Sequence, residues 1–331
     1  MSQPLSADLS VAAPPAGVEP WLAGLCQPPR EIIHLTGDVS PRRYARLVLE
    51  DGATAILATY PDEVRDVCPR FLRTTELLTG AGVRVPRVVA ASCEQGWMLL
   101  EDFGPRTLGE QRERPWSELR LELARALEMI RRIAALPAGE VAGLNPLLGR
   151  DLLRRELDQT WDLFLAPHGL TGGPALTEAF RTALDALCES LGAETPVPCH
   201  RDFMVRNLMP TAEGGLAVLD HQDLRLGPPA YDLASLLNDT LFPPAEVEEE
   251  LLAAAPGTAD RLSYHRAAAQ RTLKAVGTYT KFSLRGANRH LPLIPPTLAR
   301  CLHHLGRTPE GASVAGDLAR AWEPVLEPAR Y

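Results

Sequence analysis

An α+β fold in two lobes, a small antiparallel β-sheet lobe followed by a large and mostly helical one, is what this sequence predicts. Three observations carry that expectation. Short apolar and β-branched runs separated by turn residues fill positions 28–100. After Glu101-Asp102-Phe103-Gly104 the hydrophobic period changes to that of a helix. Within the helical part, the apolar runs ending at Cys199 and at Leu219 lead into short polar segments containing Asp202 and Asp220.

Taken in order, residues 1–27 with Pro14-Pro15 read as a weakly ordered lead with a short helix around Trp21. Glu31–Leu35 is a strand, and Thr36-Gly37-Asp38-Val39-Ser40-Pro41 a turn-rich loop. Tyr44–Leu49 and Ala53–Thr59 flank the turn Glu50-Asp51-Gly52 and so form a hairpin. Cys68, Phe71, Leu72 and Leu78 mark the apolar side of a helix over Val67–Thr79. Pro69 is tolerated in its first turn, and Gly80 and Gly82 end it. Arg84–Ala91 and Gly96–Leu100 complete five strands, so residues 28–100 form the first lobe and 101–104 a hinge. In the second lobe, 105–331, Leu119, Leu123, Leu127, Ile130 and Ala134 recur at helix spacing. Leu176, Phe180, Leu184, Leu187 and Leu191 do the same, and further helices are expected over Ala245–Ala255 and Thr258–Leu284.

Composition narrows the function classes. A net charge of −8 argues against nucleic acid or an anionic membrane as the main partner. No run approaches the ~20 apolar residues of a membrane span. Six cysteines lie far apart without a Cys-x-x-Cys pair, which argues against a zinc site. They read as small apolar residues of a reducing compartment, and no signal peptide is visible, so a cytoplasmic protein is expected. Nothing points to an obligate protein partner. Only two lysines occur, Lys274 and Lys281; apart from histidines, every other positive side chain is an arginine.

The chemistry sits in Cys199-His200-Arg201-Asp202-Phe203-Met204-Val205-Arg206-Asn207-Leu208 and Leu219-Asp220. Asn207-Leu208-Met209 and the Gly214-Gly215 turn predict a hairpin that brings Asp220 near Asp202. Asp202 would accept the proton of a substrate hydroxyl; Asn207 and Asp220 would hold Mg2+ against ATP phosphates. Each residue alone could be a turn cap or a surface charge, but the three together at this spacing speak for phosphoryl transfer. His200 reads as a structural histidine behind the loop, and His221 as a candidate lining the metal site. Asp223 is either a further network carboxylate or a helix-start cap.

These motifs resemble the catalytic loop and metal ligands of protein-kinase-like enzymes, and most of all the aminoglycoside phosphotransferase/choline kinase superfamily. The resemblance covers roughly residues 28–310 and implies the bilobal protein-kinase-like fold. Pro228-Pro229-Ala230-Tyr231-Asp232-Leu233-Ala234 is similar to the helix after the metal aspartate, where Asp232 would brace the catalytic loop. Trp97–Gly104 resembles the hinge, implying adenine contacts from the backbone of Glu101 and Phe103. Gly37–Tyr44, Leu219-Asp220-His221-Gln222-Asp223 and Gln270–Gly277 are most similar to the anomeric amino-sugar kinases of peptidoglycan recycling. That likeness implies phosphorylation of the C1 hydroxyl of N-acetylmuramate and N-acetylglucosamine.

The pattern also departs from its model. Kinases carry a lysine on the third strand for the α- and β-phosphates, but Ala53–Thr59 has none. Arg42, Arg43 and Arg46 are the candidates to replace it, unless they are solvated loop charges; Arg46 shares a strand face with Tyr44 and Val48. Glu76 loses its usual partner with that lysine. Ser40 and the backbone of Gly37–Tyr44 are further candidates for phosphate contact. For the acceptor, Glu156, Asp158 and Trp161 share one helix, unless it is an ordinary surface with one core tryptophan; Arg271 and Lys274 share one face of another, unless that face is solvated; and Gln222 and Asp223 follow the metal aspartate. The run Glu246–Glu250 reads as a solvated helix face rather than a cation site. An uncharged or anionic sugar therefore fits better than an aminoglycoside or choline. Another small-molecule kinase of the superfamily and a nucleotide-binding pseudokinase are the competing readings.

Overall fold

A computed structural model describes residues 17–25, 28–35, 41–255 and 260–326. Ser40 and all but the last residue of the loop expected over Thr36–Pro41 lie outside them. The chain divides into two compact units. One takes residues up to Glu76 together with Val85–Gly104, and the other Leu77–Arg84 and residues from Pro105 onward.

The first unit is built on a five-stranded antiparallel sheet. Its strands are β1 (Glu31–Leu35), β2 (Arg43–Val48), β3 (Thr54–Thr59), β4 (Val88–Ser92) and β5 (Trp97–Glu101), in the order β1-β2-β3-β5-β4. Period-two alternation sorts their side chains onto two faces. Leu47, Leu57, Trp97 and Leu99 pack against Val18 and Leu22 of a short helix α1 (Val18–Ala23). Ala58, Met98 and Leu100 pack instead against Cys68 and Phe71 of α2 (Val67–Gly80). Both faces being covered explains why β5 is buried from Trp97 to Leu100 without alternation. β4 starts at Val88 rather than at the expected Arg84, because Pro86 lacks the N–H a ladder needs and the Arg84 carbonyl is taken by the Val218 N–H at 2.9 Å.

The cysteine expectation fails at one pair. Cys68 in the first turn of α2 and Cys93 in the turn after β4 form a disulfide, their Cα atoms 5.5 Å apart. Spacing along the chain could not reveal this, since the pairing depends on α2 lying across the sheet. Cys188, Cys199 and Cys301 are buried free thiols.

The second unit holds α3 (Trp116–Ala134), α4 (Ala138–Val141), α5 (Arg150–Thr160) and α6 (Pro174–Gly192). Two short antiparallel ribbons follow: β6 (Val197–Cys199) with β9 (Arg225–Gly227), and β7 (Leu208–Pro210) with β8 (Leu216–Val218). Then come α7 (Tyr231–Leu237), α8 (Ala245–Ala253), α9 (Arg261–Ser283), α10 (Ile294–Leu305) and α11 (Ala312–Leu326). Asp260 caps α9, accepting the Ser263 N–H at 2.7 Å. α9 is buried almost continuously from Ala267 to Gly277 and packs against α5, α7 and α10. A helix buried on all sides is the axis of a helical core, and here it also carries Gln270, Arg271 and Lys274 into the interior. In α8, Glu246, Glu249 and Glu250 are solvated as expected, but Glu248 is buried against Arg300 at 2.7 Å and the Tyr264 hydroxyl at 2.6 Å. Among the described residues no helix is long and apolar enough to cross a membrane.

Two predictions concern stability. Reducing the Cys68–Cys93 bond, whose sequence separation is 25, should cost about 3 kcal/mol by loop-closure entropy. Urea midpoints with and without dithiothreitol measure this, and a Cys68→Ala/Cys93→Ala variant should lose the difference. The second concerns His304, which is fully buried, with Nε2 2.8 Å from Asn238 Oδ1. Burial, then Arg300 and neighbouring histidines, hold its pKa well below the usual 6.5. The unfolded chain therefore binds a proton that the fold refuses. Stability is fully present above about pH 6.5 and falls below it, by up to about 1.4 kcal/mol per pH unit. His304→Gln should flatten that slope in a pH series of urea midpoints; His265 and His303, also depressed by burial, leave a residue of it.

Candidate active site

Asp202 owes its position to a tight chain reversal at the end of β6. The carboxylate of Asp232, in the first turn of α7, accepts the His200 N–H at 2.6 Å and the Arg201 N–H at 2.9 Å. Arg201 takes a left-handed backbone, φ 76°, which turns the next residue away from the ribbon. The Asp202 carbonyl then accepts the Met204 N–H and the Asn207 side-chain N–H, each at 2.9 Å. Spending its amide nitrogen there leaves Asn207 Oδ1 to face elsewhere.

Asp220 is tied to the same loop. The Leu219 N–H donates to the Asn207 carbonyl at 2.8 Å, and His200 Nε2 donates to the Leu219 carbonyl at 3.0 Å. Asp220 itself is left-handed, φ 60°, and its Oδ1 accepts from Gln222 Nε2 at 2.9 Å. Asp202, Asn207 and Asp220 thus stand on chain segments joined by direct hydrogen bonds. Asn207 Oδ1 and the Asp220 carboxylate are hard oxygen donors of the kind Mg2+ takes alongside phosphate and water. Among the described residues no group of three His, Cys, Asp or Glu side chains could hold a metal alone. One carboxylate and one amide suit an ion that brings phosphate ligands with it.

The floor beside Asp202 is set by how closely α9 approaches α5. At Gly277 a Cβ would fall 2.3 Å from Thr160 Oγ1 and 2.8 Å from Thr160 Cα, so only glycine allows this contact. Thr160 Oγ1 in turn donates to the Leu273 carbonyl at 2.9 Å. One turn back on each helix, Glu156 meets Gln270 Nε2 at 3.2 Å and Lys274 Nζ at 3.3 Å. Arg201 Nη2 donates to Glu156 at 2.9 Å and Nη1 to Asp223 at 2.8 Å. Arg225 reaches the other Asp223 oxygen at 3.2 Å. Around Asp202 stand Arg271 at 3.5 Å, Lys274 at 3.6 Å and Arg201 at 3.8 Å. Burial pushes the Asp202 carboxyl up, but Lys274, Arg201 and Arg271 together hold it well below the usual carboxylate range. It is ionised throughout the working pH range. At 3.5–3.8 Å these cations stand beyond ideal hydrogen-bond length, and a hydroxyl can still donate to the carboxylate.

Other expected residues divide by location. Gln222 holds Asp220, and Asp223 belongs to the Arg201 network in a short turn, not to a helix cap. His221 is fully buried and kept neutral, its pKa lowered by burial and by His200 to about 3. Glu156 is in the site, but its helix neighbours are not. Asp158 pairs with Arg154 at 2.6 Å, and Trp161 is core against Phe180, ring centroids 5.7 Å apart. Trp161 follows Leu153 and Leu157 at four-residue spacing, which puts the indole on the buried side of the helix. Arg201 itself was missed, because a lone arginine within the motif carries no periodicity; its position between two acids is visible only in three dimensions.

In the first unit, Arg46 is occupied. It donates to both Asp102 oxygens, at 2.5 and 3.0 Å, and to the Gly104 carbonyl at 2.7 Å. That bidentate bracket makes Arg46 a brace of residues 102–104, which corrects its expected phosphate contact. Burial pushes Asp102 up, yet Arg46 and the Gly104 N–H bring it below its ordinary pKa. Arg43 is exposed at the start of β2, and the Arg42 guanidinium lies 6.0 Å from the Tyr44 ring. Glu101 accepts the Arg87 N–H at 3.1 Å on its side chain. Glu76 pairs with Arg73 at the surface, 3.2 Å away.

A family model described as the phosphotransferase enzyme family matches residues 31–268. This chain belongs to that family. It is 31% identical, over 88% of its length and 89% of the relative's, to the N-acetylmuramate/N-acetylglucosamine kinase of Pseudomonas aeruginosa. Its fold is similar to the choline kinase LicA of Streptococcus pneumoniae, with a TM-score of 0.59, 14% identity and coverage of 93% and 98% of the two chains. The ADP-bound aminoglycoside phosphotransferase APH(2'')-Ib aligns with a TM-score of 0.60 and 15% identity over 94% and 99%. The protein is therefore a phosphotransferase with the expected two-part architecture.

Gly277→Ala should separate α9 from α5. Overpacking against the Thr160 backbone should cost about 1–3 kcal/mol and lower kcat, because Lys274 and Arg271 ride on the displaced helix. A denaturation midpoint and a steady-state assay check both; unchanged values would contradict the close contact.

Proposed function

We propose that this enzyme transfers the terminal phosphoryl group of ATP to the anomeric C1 hydroxyl of N-acetylmuramate and N-acetylglucosamine, in cell-wall sugar recycling. The observation that carries the reading is the ionised Asp202 on its braced loop, with Asn207 and Asp220 hydrogen-bonded into the same turn. Such a carboxylate is a weak base but a strong hydrogen-bond acceptor. That suits a loose transition state, in which the hydroxyl must be aimed rather than deprotonated early. Bound Mg2+ would neutralise phosphate charge, and Asn207 Oδ1 with the Asp220 carboxylate would hold it. The backbone of Glu101 and Phe103 is proposed to meet adenine, and Arg42 or Arg43 the phosphates.

The charge of the floor supports a neutral or anionic acceptor. Arg201, Arg271 and Lys274 lie within 3.8 Å of Asp202, so a polycationic aminoglycoside would approach three like charges. Glu156 and Asp223, the carboxylates that would attract it, are already paired with Arg201. The relative of P. aeruginosa, whose printed name carries both amino sugars, supports the choice of acceptor.

An ADP-release assay with N-acetylmuramate, N-acetylglucosamine, an aminoglycoside and choline decides the acceptor. Turnover with the two amino sugars is expected, and turnover with the cations alone would overturn the reading. Asp202→Asn should lower kcat about 10²–10³-fold while ATP affinity is retained; full activity in that variant would remove Asp202 from the mechanism, and no wild-type turnover at all would favour a binding-only protein.

A further inference from the structure

α9 presents two buried cations, Arg271 and Lys274, to Asp202. Arg201 and Arg225 are matched by Glu156 and Asp223, at 2.8–3.2 Å. Glu156 has its second oxygen on Gln270. Lys274 shares Glu156 with Arg201, at 3.3 Å, and Arg271 and Lys274 both face Asp202. Their side chains are only 8% and 10% exposed. Cations shielded this far from water attract an incoming anion more strongly than exposed ones would.

Position decides which anion. Arg271 and Lys274 flank the same oxygen, Asp202 Oδ1, at 3.5 and 3.6 Å. Arg271 is anchored through Nε on Ser235 Oγ at 3.1 Å and does not swing freely. Lys274 has no such neutral anchor; its ammonium stands between Glu156 at 3.3 Å and Asp202. A hydroxyl donating to Asp202 therefore has its oxygen, and the phosphorus it attacks, within reach of that ammonium. A carboxylate elsewhere on the acceptor ring would lie several ångströms farther off.

We infer that Lys274 is a catalytic residue whose ammonium donates a hydrogen bond to a non-bridging oxygen of the phosphoryl group in flight, with Arg271 as its positioning partner. This rests on the phosphotransfer assigned above but not on which hydroxyl accepts. The acceptor oxygen forms a bond to phosphorus while the bond from phosphorus to the β-phosphate bridging oxygen breaks, and ADP leaves with that electron pair. The hydroxyl proton passes to Asp202, and Lys274 keeps its own protons throughout. A lysine on α9 thereby supplies cationic charge that no lysine of β3 can provide.

Transition-state mimicry tests this without knowledge of the acceptor. In Lys274→Met, binding of ADP with aluminium fluoride and Mg2+, followed by calorimetry, should weaken about 10²–10³-fold, while binding of ADP alone moves less than about threefold. Lys274→Arg should recover part of the loss, and thermal unfolding of both variants shows whether each is folded. Equal weakening for ADP and for the aluminium fluoride complex, or none for either, would overturn the inference. So would a Lys274→Met enzyme that loses only N-acetylmuramate turnover and keeps N-acetylglucosamine turnover, because the ammonium would then be reading the acceptor's carboxylate. Should the wild type phosphorylate neither sugar, the acceptor assignment fails while the calorimetric result still judges Lys274.

Discussion

The second unit converges on keeping one half-buried carboxylate charged. Burial pushes the Asp202 carboxyl up, and Lys274, Arg201 and Arg271 outweigh it. Of the three only Arg271 donates to it, through one long bond of 3.5 Å, which leaves most of the carboxylate's acceptor capacity. The group is stabilised as an anion and stays available, which is the condition for orienting a hydroxyl. The same cations set the character of the floor, because whatever approaches Asp202 approaches them as well.

Holding that arrangement takes structure well beyond the motif. Asp232 clamps two successive backbone N–H groups of the loop. The hairpin of β7 and β8 carries Asp220 back to Asn207, and the His200 ring closes the gap to Leu219. On the other side, Gly277 lets α9 press onto Thr160, and this contact alone brings Gln270 and Lys274 to Glu156. The segment Gln270–Gly277 thus contributes a packing contact, a positioning pair and two cations in two helical turns. In the first unit a comparable bracket, Arg46 on Asp102, uses an arginine to order residues 102–104.

Much of this was readable from the chain. Five strands, the helix between them and the later helical runs follow from periodicity and turn residues, with boundaries displaced by up to four residues, the largest shift being at the start of β4. The motif spacing put Asn207 and Asp220 at the two ends of one hairpin, with Asp202 in the turn ahead of it. Arg46 was misread since period two gives the face of a side chain but not the partner waiting on that face. Trp161 is the core tryptophan that the reading of its helix as an ordinary surface expects, in line with Leu153 and Leu157 at four-residue spacing. Cys68 and Cys93 were read as separate thiols because nothing local links a helix to a turn 25 residues on.

The sequence by itself determined the fold class and the reaction type and singled out Asp202, Asn207 and Asp220, since these depend on local spacing and residue chemistry. Only the tertiary structure decided which charges neutralise one another. Coulomb energy depends on distance and burial, and neither is written in the order of residues. Glu156, Arg201, Arg271 and Lys274 are scattered across more than a hundred positions of the chain. Folding α9 against α5 and turning the backbone at Arg201 makes them a single electrostatic unit around Asp202.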